Sequence, residues 1–192
     1  MGTRPQPSPP PHRFLTFYGS INPPASNNLR AGLSSIVNEG AQHITILFAS
    51  SGGSIDDGIS LYTYLKALPA ELTMHAVGNV ASIALPVFLA AKSRLASQNA
   101  RFLFHNYVWG SPTPETVTQD VLAERSMALD SALAWTRGVI KASTKLVDAD
   151  FESMKFFEKP VIIDPSSALK YGLIGEIREP AIPLGSEPRV IV

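Results

Sequence analysis

Cysteine is absent from the 192 residues. Its absence excludes a disulfide scaffold, a thiolate metal site and a cysteine nucleophile, and it fits a reducing compartment. Net charge is absent too. The 16 Lys and Arg balance the 16 Asp and Glu, so the chain has no broad basic footprint for nucleic acid. No run approaches 18 uninterrupted apolar residues, which argues against a membrane-spanning helix, and the N-terminus lacks the apolar core of a secretory signal. A cytoplasmic location is the expectation. The sequence also lacks the Gly-Lys-Ser/Thr of a phosphate-binding loop, a dinucleotide G-x-G-x-x-G and a G-x-S-x-G nucleophile elbow.

What remains suits one globular domain. Hydrophobic residues make up 45% and charged residues 17%, enough to close a core without staples. Residues 1–13 read as a disordered tail, with prolines at 5, 7, 9, 10 and 11 favouring extended backbone. Phe14–Tyr18 reads as a strand that Gly19 ends, with Pro23 and Pro24 as breakers. Leu29, Leu33 and Ile36 then share a helical face after Ser26. His43–Phe48 is a β-branched run suited to a strand buried on both faces. Asp57–Leu68 predicts a helix, Leu72–Val77 a strand, Ser82–Lys92 a buried helix and Arg101–His105 a strand. Strand–helix alternation of this kind implies an α/β architecture with a largely parallel sheet. The pattern then changes. Thr113 and Pro114 suit a helix start, and apolar residues from Val117 to Ile140 recur near the 3.6 period. A helix of about 28 residues would be roughly 42 Å long at 1.5 Å per residue. It should project from the core, and its apolar stripe should meet a second copy. Val161–Ile163 predicts a strand. Asp164-Pro165 predicts a helix start, and Gly172 its termination.

Three turns hold residues able to do chemistry. Ser50-Ser51-Gly52-Gly53-Ser54 follows a buried strand. Its glycines permit close backbone approach, and its N–H groups suit an anion, although a plain tight turn explains it equally. Ser82 opens a helix, where it is either an N-cap or a hydroxyl set beside free N–H groups. His105 ends a core strand, where a structural role is the commoner one. The interval of 23 residues from Ser82 to His105 fits one helix and one returning strand, which makes a serine–histidine pair feasible.

In register, these segments resemble the Clp protease proteolytic subunits, within the crotonase-like superfamily. Ser51-Gly52-Gly53-Ser54-Ile55 resembles that family's Gly-Gly-Ser turn, and Gly78-x-x-Ala81-Ser82 with Phe88-Leu89-Ala90-Ala91 resembles its nucleophile helix. Ala100–His105 resembles its histidine strand. The helix from Pro114 resembles its projecting handle, and Ala168–Ile174 its closing helix and turn. The resemblance covers residues 14–178. It implies a repeated ββα spiral core with a handle, divided into a head (14–105), the handle (106–157) and a closing segment (158–178), followed by a C-terminal tail (179–192). Ser82 would be the nucleophile and His105 the general base. The N–H groups of Gly53 and Ile83 would form the oxyanion hole. An unfolded polypeptide would lie as an added strand between Gly52, Ser54 and Ile55 on one side and Asn106 and Tyr107 on the other. The family stacks two seven-membered rings through its handles and takes substrate from an AAA+ ATPase. No cofactor or metal is implied.

One departure stands out. The family's triad closes on an Asp eleven residues before the Tyr of the closing Tyr-Gly. Counting back from Tyr171 reaches Pro160. Glu158 and Asp164 are the nearest carboxylates. Asp164 is the expected third member, although its place before Pro165 equally suits an N-cap. The alternative orienting group for His105 is a backbone carbonyl. Competing functions are a catalytically inactive structural ring subunit, a crotonase-type acyl-CoA enzyme, and a Ser–Lys hydrolase using Lys92. The second is opposed because neither Asp56 nor Asp57 sits at an obvious position beside the oxyanion hole, and the last by the direction in which a helix would point the lysine.

Overall fold

The computed structural model describes residues 12–110, 117–184, 186 and 188–191. Most of the expected Pro-rich tail therefore lies outside the described residues, but His12 and Arg13 already belong to β1 (His12–Tyr18). β1 is followed by α1 (Pro23–Asn38), β2 (His43–Ser50), α2 (Ile55–Ala67) and β3 (Glu71–Ala81). Next come α3 (Ala84–Phe88), β4 (Ser93–Ala96), β5 (Arg101–Phe104) and α4 (Gln119–Ser143). The chain closes with α5 (Asp148–Met154), β6 (Val161–Ile163), α6 (Pro165–Lys170), β7 (Glu176–Ile177) and β8 (Arg189–Ile191).

The expected α/β architecture is present. The strands run in the order β6-β5-β3-β2-β1-β8, and every pairing is parallel except β5 with β6. β2 is buried without a break from Ile44 to Ser50, as a central parallel strand must be. β3 forks the sheet. Its first half, Thr73–Ala76, pairs with β4, and its last three residues, Asn79–Ala81, pair with β5. The rings of Phe17, Phe48, Phe88 and Phe102 follow one another at 5.4, 6.3 and 5.5 Å. This aromatic line joins β1, β2 and β5 to α3 and sets α3 on the core.

Several boundaries differ from expectation. Pro23 and Pro24 do not merely break a strand. They are the first two residues of α1, where a missing N–H costs nothing, and Asn22 caps the helix by accepting from the Ala25 N–H at 2.9 Å. The predicted helix over Ser82–Lys92 shrinks to Ala84–Phe88. Every residue from Val80 to Ala91 is buried, so no amphipathic period marked its end, and β4 was hidden behind it. The predicted starts at Thr113 and Pro114 lie outside the described residues. The helix begins at Gln119, capped by the Thr118 hydroxyl, which accepts from the Val121 N–H at 3.3 Å. The C-terminal segment is not wholly a tail, because Arg189–Ile191 pairs with β1 as β8. Arg189 holds it there by donating to Glu39 at 2.7 Å and Ser35 at 2.9 Å on α1.

α4 behaves as a projecting helix. No residue from Gln119 to Asp130 is buried, whereas Ala132, Thr136, Val139 and Ile140 are. Three successive residues fix its base. Trp135 meets Tyr62 edge-on at 5.3 Å, Thr136 bonds Tyr107, and Arg137 lies over Phe151 and Phe157.

Candidate active site

β2, β3 and β5 are neighbours in the sheet and point the same way, so the turns that follow them emerge at one edge. The Gly52-Gly53 turn follows β2, Ser82 follows β3, and His105 follows β5. Parallel pairing thus brings together the three segments singled out in the sequence.

Ser82 is held in an unusual backbone conformation. It has φ +57°, in the left-handed region that non-glycine residues rarely occupy. Its N–H donates to the Leu103 carbonyl at 3.1 Å, and its carbonyl accepts from the Leu85 N–H at 3.0 Å. The residue therefore turns the chain abruptly from β3 into α3 and is 8% exposed. Its hydroxyl caps nothing, since Ile83 is the N-cap position of α3 and the helix has no side-chain cap. The N-cap alternative for Ser82 is thereby set aside.

The glycines around this corner are there for room. At Gly52 (φ +90°), a Cβ would stand 2.7 Å from the Ser82 Cβ and 2.9 Å from the Ala81 carbonyl oxygen. At Gly53 (φ +145°), a Cβ would collide with the Ile21 carbonyl oxygen. Ile21 in turn locks the turn by donating to the Gly52 carbonyl and accepting from the Ser54 N–H, each at 2.8 Å. Gly58 on α2 makes way for the Ile83 side chain. Its role was not visible in the sequence, because a glycine inside an amphipathic helix gives no hint of what lies across from it. Among the described residues, the N–H groups of Gly53 and Ile83 donate to no protein acceptor. Two free donors thus flank the Ser82 corner.

His105 is partly exposed. Its Nδ1 lies 2.7 Å from the carbonyl oxygen of Asn106. A carbonyl only accepts, so Nδ1 carries the proton, and Nε2 meets no partner among the described residues. Among the described residues no hydrogen bond joins the Ser82 hydroxyl to the His105 ring. Long or absent contacts of this kind are common in unliganded sites.

Asp164, the expected third member, directly follows β6. In the antiparallel pairing of β5 with β6, Phe104 faces Val161 and Phe102 faces Ile163. Continued one step, that register sets Pro160 opposite His105 and Asp164 opposite Arg101, at the far end of the strand. The Asp164 carboxylate accepts from the Ser167 N–H at 2.7 Å and caps α6. That bond and a further one from the Ser167 side chain hold its pKa below the usual carboxylate range. Glu158 is exposed.

The expected substrate-contacting residues separate into two groups. Gly52 is buried against Ser82, and Asn106 is exposed beside His105. Ile55 opens α2 and is half-buried. The Ser54 hydroxyl caps α2, accepting from the Asp57 N–H at 3.3 Å. Tyr107 is not a surface contact. It is 5% exposed, and its hydroxyl meets the Thr136 hydroxyl at 2.6 Å. Burial pushes its pKa up to about 12. Val108 and Trp109 are exposed just beyond it, with the Arg125 guanidinium 5.0 Å from the Trp109 ring centre. Among the described residues no group of three metal-ligating side chains converges, and no helix is long and apolar enough to cross a membrane.

Comparisons with known proteins show the family and the fold. The Clp protease family model matches residues 11–181. An ATP-dependent Clp protease proteolytic subunit of Borreliella afzelii is 24% identical over 168 residues, covering 86% of this chain and 82% of that protein. The proteolytic subunit 2 of Borreliella burgdorferi is 30% identical over 142 residues, covering 71% and 67%. Among solved structures, a point mutant of ClpP1 from Listeria monocytogenes superposes with a TM-score of 0.76 at 19% identity. The superposition covers 88% of this chain and 92% of that one, which establishes a shared fold.

Proposed function

Because the chain belongs to the Clp protease family, we propose that it is a serine endopeptidase in which Ser82 is the nucleophile and His105 the general base. One observation carries this reading. Ser82 occupies a strained left-handed turn between β3 and α3, flanked by the free N–H groups of Gly53 and Ile83. Strain of this kind persists where surrounding structure enforces it, and such positions cluster at functional sites. The Ser82 Oγ attacks the scissile carbonyl while His105 Nε2 takes its proton. The two N–H groups receive the oxyanion. Collapse expels the amine, which takes the proton from His105 and leaves an acyl-Ser82 ester. Water, activated by the same ring, hydrolyses the ester. The peptide lies as an added strand beside the Gly-Gly turn, with Asn106 across from it.

The apolar residues exposed on the outer half of α4 support a homo-oligomeric ring joined through that helix. A cytoplasmic AAA+ ATPase would deliver unfolded substrate. One observation favours a second reading, a structural ring subunit without activity: the β5–β6 register, extended one residue past the Phe104–Val161 pair, sets Pro160, which cannot ionise, opposite His105, where the resemblance expects an Asp. A fluorophosphonate probe with peptide mapping decides between them. The peptidase reading expects modification of Ser82 and loss of labelling and of peptide hydrolysis in Ser82→Ala. A folded chain that shows no modification at Ser82 supports the structural reading.

A further inference from the structure

The group that orients His105 is a single peptide unit, and that unit is itself held from two sides. The carbonyl of Asn106, which accepts from His105 Nδ1 at 2.7 Å, and the N–H of Tyr107 belong to the same planar peptide. The Tyr107 N–H donates to the side-chain oxygen of Asn106 at 2.9 Å. The next anchor is the Tyr107 ring, which is buried. Its hydroxyl is paired with the Thr136 hydroxyl at 2.6 Å, on the base of α4. Rotating this peptide would break the Asn106 side-chain bond. It would also drag a buried tyrosine off its partner, at the cost of leaving a hydroxyl unsatisfied.

On this geometry we infer that Asn106, Tyr107 and Thr136 are positioning residues for His105, and that together they do the orienting that a carboxylate does in a complete triad. The inference rests on the peptidase reading, since only there does the His105 tautomer matter to chemistry. Asn106 fixes the N–H end of the peptide. Tyr107 fixes its downstream Cα, and Thr136 ties Tyr107 to the helix base that Trp135 and Arg137 also hold. The outcome is an imidazole locked with its proton on Nδ1, which leaves Nε2 as the base.

The test reads the ring directly and does not depend on turnover. Histidine side-chain nitrogen NMR on the full chain in the Ser82→Ala background reports the His105 tautomer. Tyr107→Phe, Thr136→Val and Asn106→Ala should each turn a pure Nδ1–H signal into a tautomer mixture. Thr136→Ser, which keeps the hydroxyl, should restore it. With Ser82 intact, the same variants should slow fluorophosphonate labelling by about fivefold to tenfold, the worth of one lost hydrogen bond, and Thr136→Ser should recover the rate. An unchanged tautomer in Tyr107→Phe and Asn106→Ala overturns the inference, whatever happens to labelling. So does slowed labelling with the tautomer intact, which would mark a merely structural role. If the intact chain never labels Ser82 but its tautomer shifts as described, the positioning stands and the peptidase reading falls.

Discussion

Gly52→Ala tests whether the Ser82 corner is held by contact or only by local backbone preference. An alanine Cβ there would stand 2.7 Å from the Ser82 Cβ and 3.3 Å from its Oγ, at a φ of +90°. Left-handed backbone costs a non-glycine residue about 1–2 kcal/mol, and forcing atoms into a packed site costs about 1–3 kcal/mol more. The lost flexibility of the unfolded chain returns about 0.4–1 kcal/mol, so the net loss is about 1–5 kcal/mol. For a chain of this size each kcal/mol lowers the melting temperature by roughly 2–4 °C, so a loss near 3 kcal/mol predicts a fall of about 6–12 °C. Gly40 supplies the control. Its φ is +88°, yet an added Cβ there meets nothing within 4 Å, so Gly40→Ala carries the backbone cost alone. Melting by circular dichroism should therefore rank Gly52→Ala well below Gly40→Ala, and only Gly52→Ala should slow labelling of Ser82. Equal losses in the two variants would refute the claim that Gly52 exists to admit the serine.

Four further outcomes are expected. Asp164→Asn keeps a cap oxygen and should leave labelling unchanged. Because the folded pKa of Asp164 is depressed, its stabilising charge is present above about pH 4 and lost as pH falls through the lower folded value, and acid titration of the melting temperature should show Asn flattening that limb. His75 is buried, donates to the Arg178 carbonyl at 2.7 Å, and has its pKa lowered chiefly by desolvation. Stability should therefore decline as pH drops below about 6.5, where the unfolded chain takes up the proton first, and His75→Gln should weaken that decline in denaturant melts. Leu122 and Met127 are 57% and 71% exposed on α4, so replacing both with Asp should shift light scattering toward smaller assemblies while monomer melting stays within about 0.5 kcal/mol of wild type. Pro160→Asp, at the register position facing His105, should raise the labelling rate of Ser82 under the peptidase reading, and an unchanged rate would count against that register argument.

Strand and helix types were legible wherever the chain is amphipathic or punctuated. β1, β2, α2, β5, β6 and α6 lie within a few residues of their expected positions, because periodicity, the Gly-Gly turn and the Asp164-Pro165 pair mark them. Where burial is continuous, the signal vanished. From Val80 to Ala91 no residue faces solvent, so the short α3 and the turn toward β4 could not be told from one long helix. β8 was missed for the opposite reason. A three-residue strand after a proline-rich stretch has too little pattern to announce a partner more than 170 residues earlier. At the candidate site, the Gly-Gly turn, Ser82 and His105 stood out because each follows directly on a strand. The role of Tyr107 did not, since a tyrosine beside a histidine looks the same whether it faces substrate or a threonine on α4.

The pairing of β5 with β6 explains how a histidine strand can do without a carboxylate beside it. Extended one residue past the Phe104–Val161 pair, this register brings His105 to a proline, which has neither charge nor N–H. The Nδ1 proton must then find an acceptor nearby, and the adjacent Asn106 carbonyl is within reach because β5 ends at Phe104 and releases its backbone from the ladder. A carbonyl and a carboxylate differ as partners. Both fix the tautomer, but only the carboxylate carries the charge that stabilises the imidazolium formed during proton transfer. Loss of that carboxylate in a complete triad costs about 10⁴-fold in turnover, largely through the wrong tautomer. A site that keeps the tautomer by another bond therefore escapes the larger part of that penalty and bears the smaller, electrostatic part. The balance requires the carbonyl to stay put, which is why the bonds that hold the 106–107 peptide weigh more here than they would beside an aspartate.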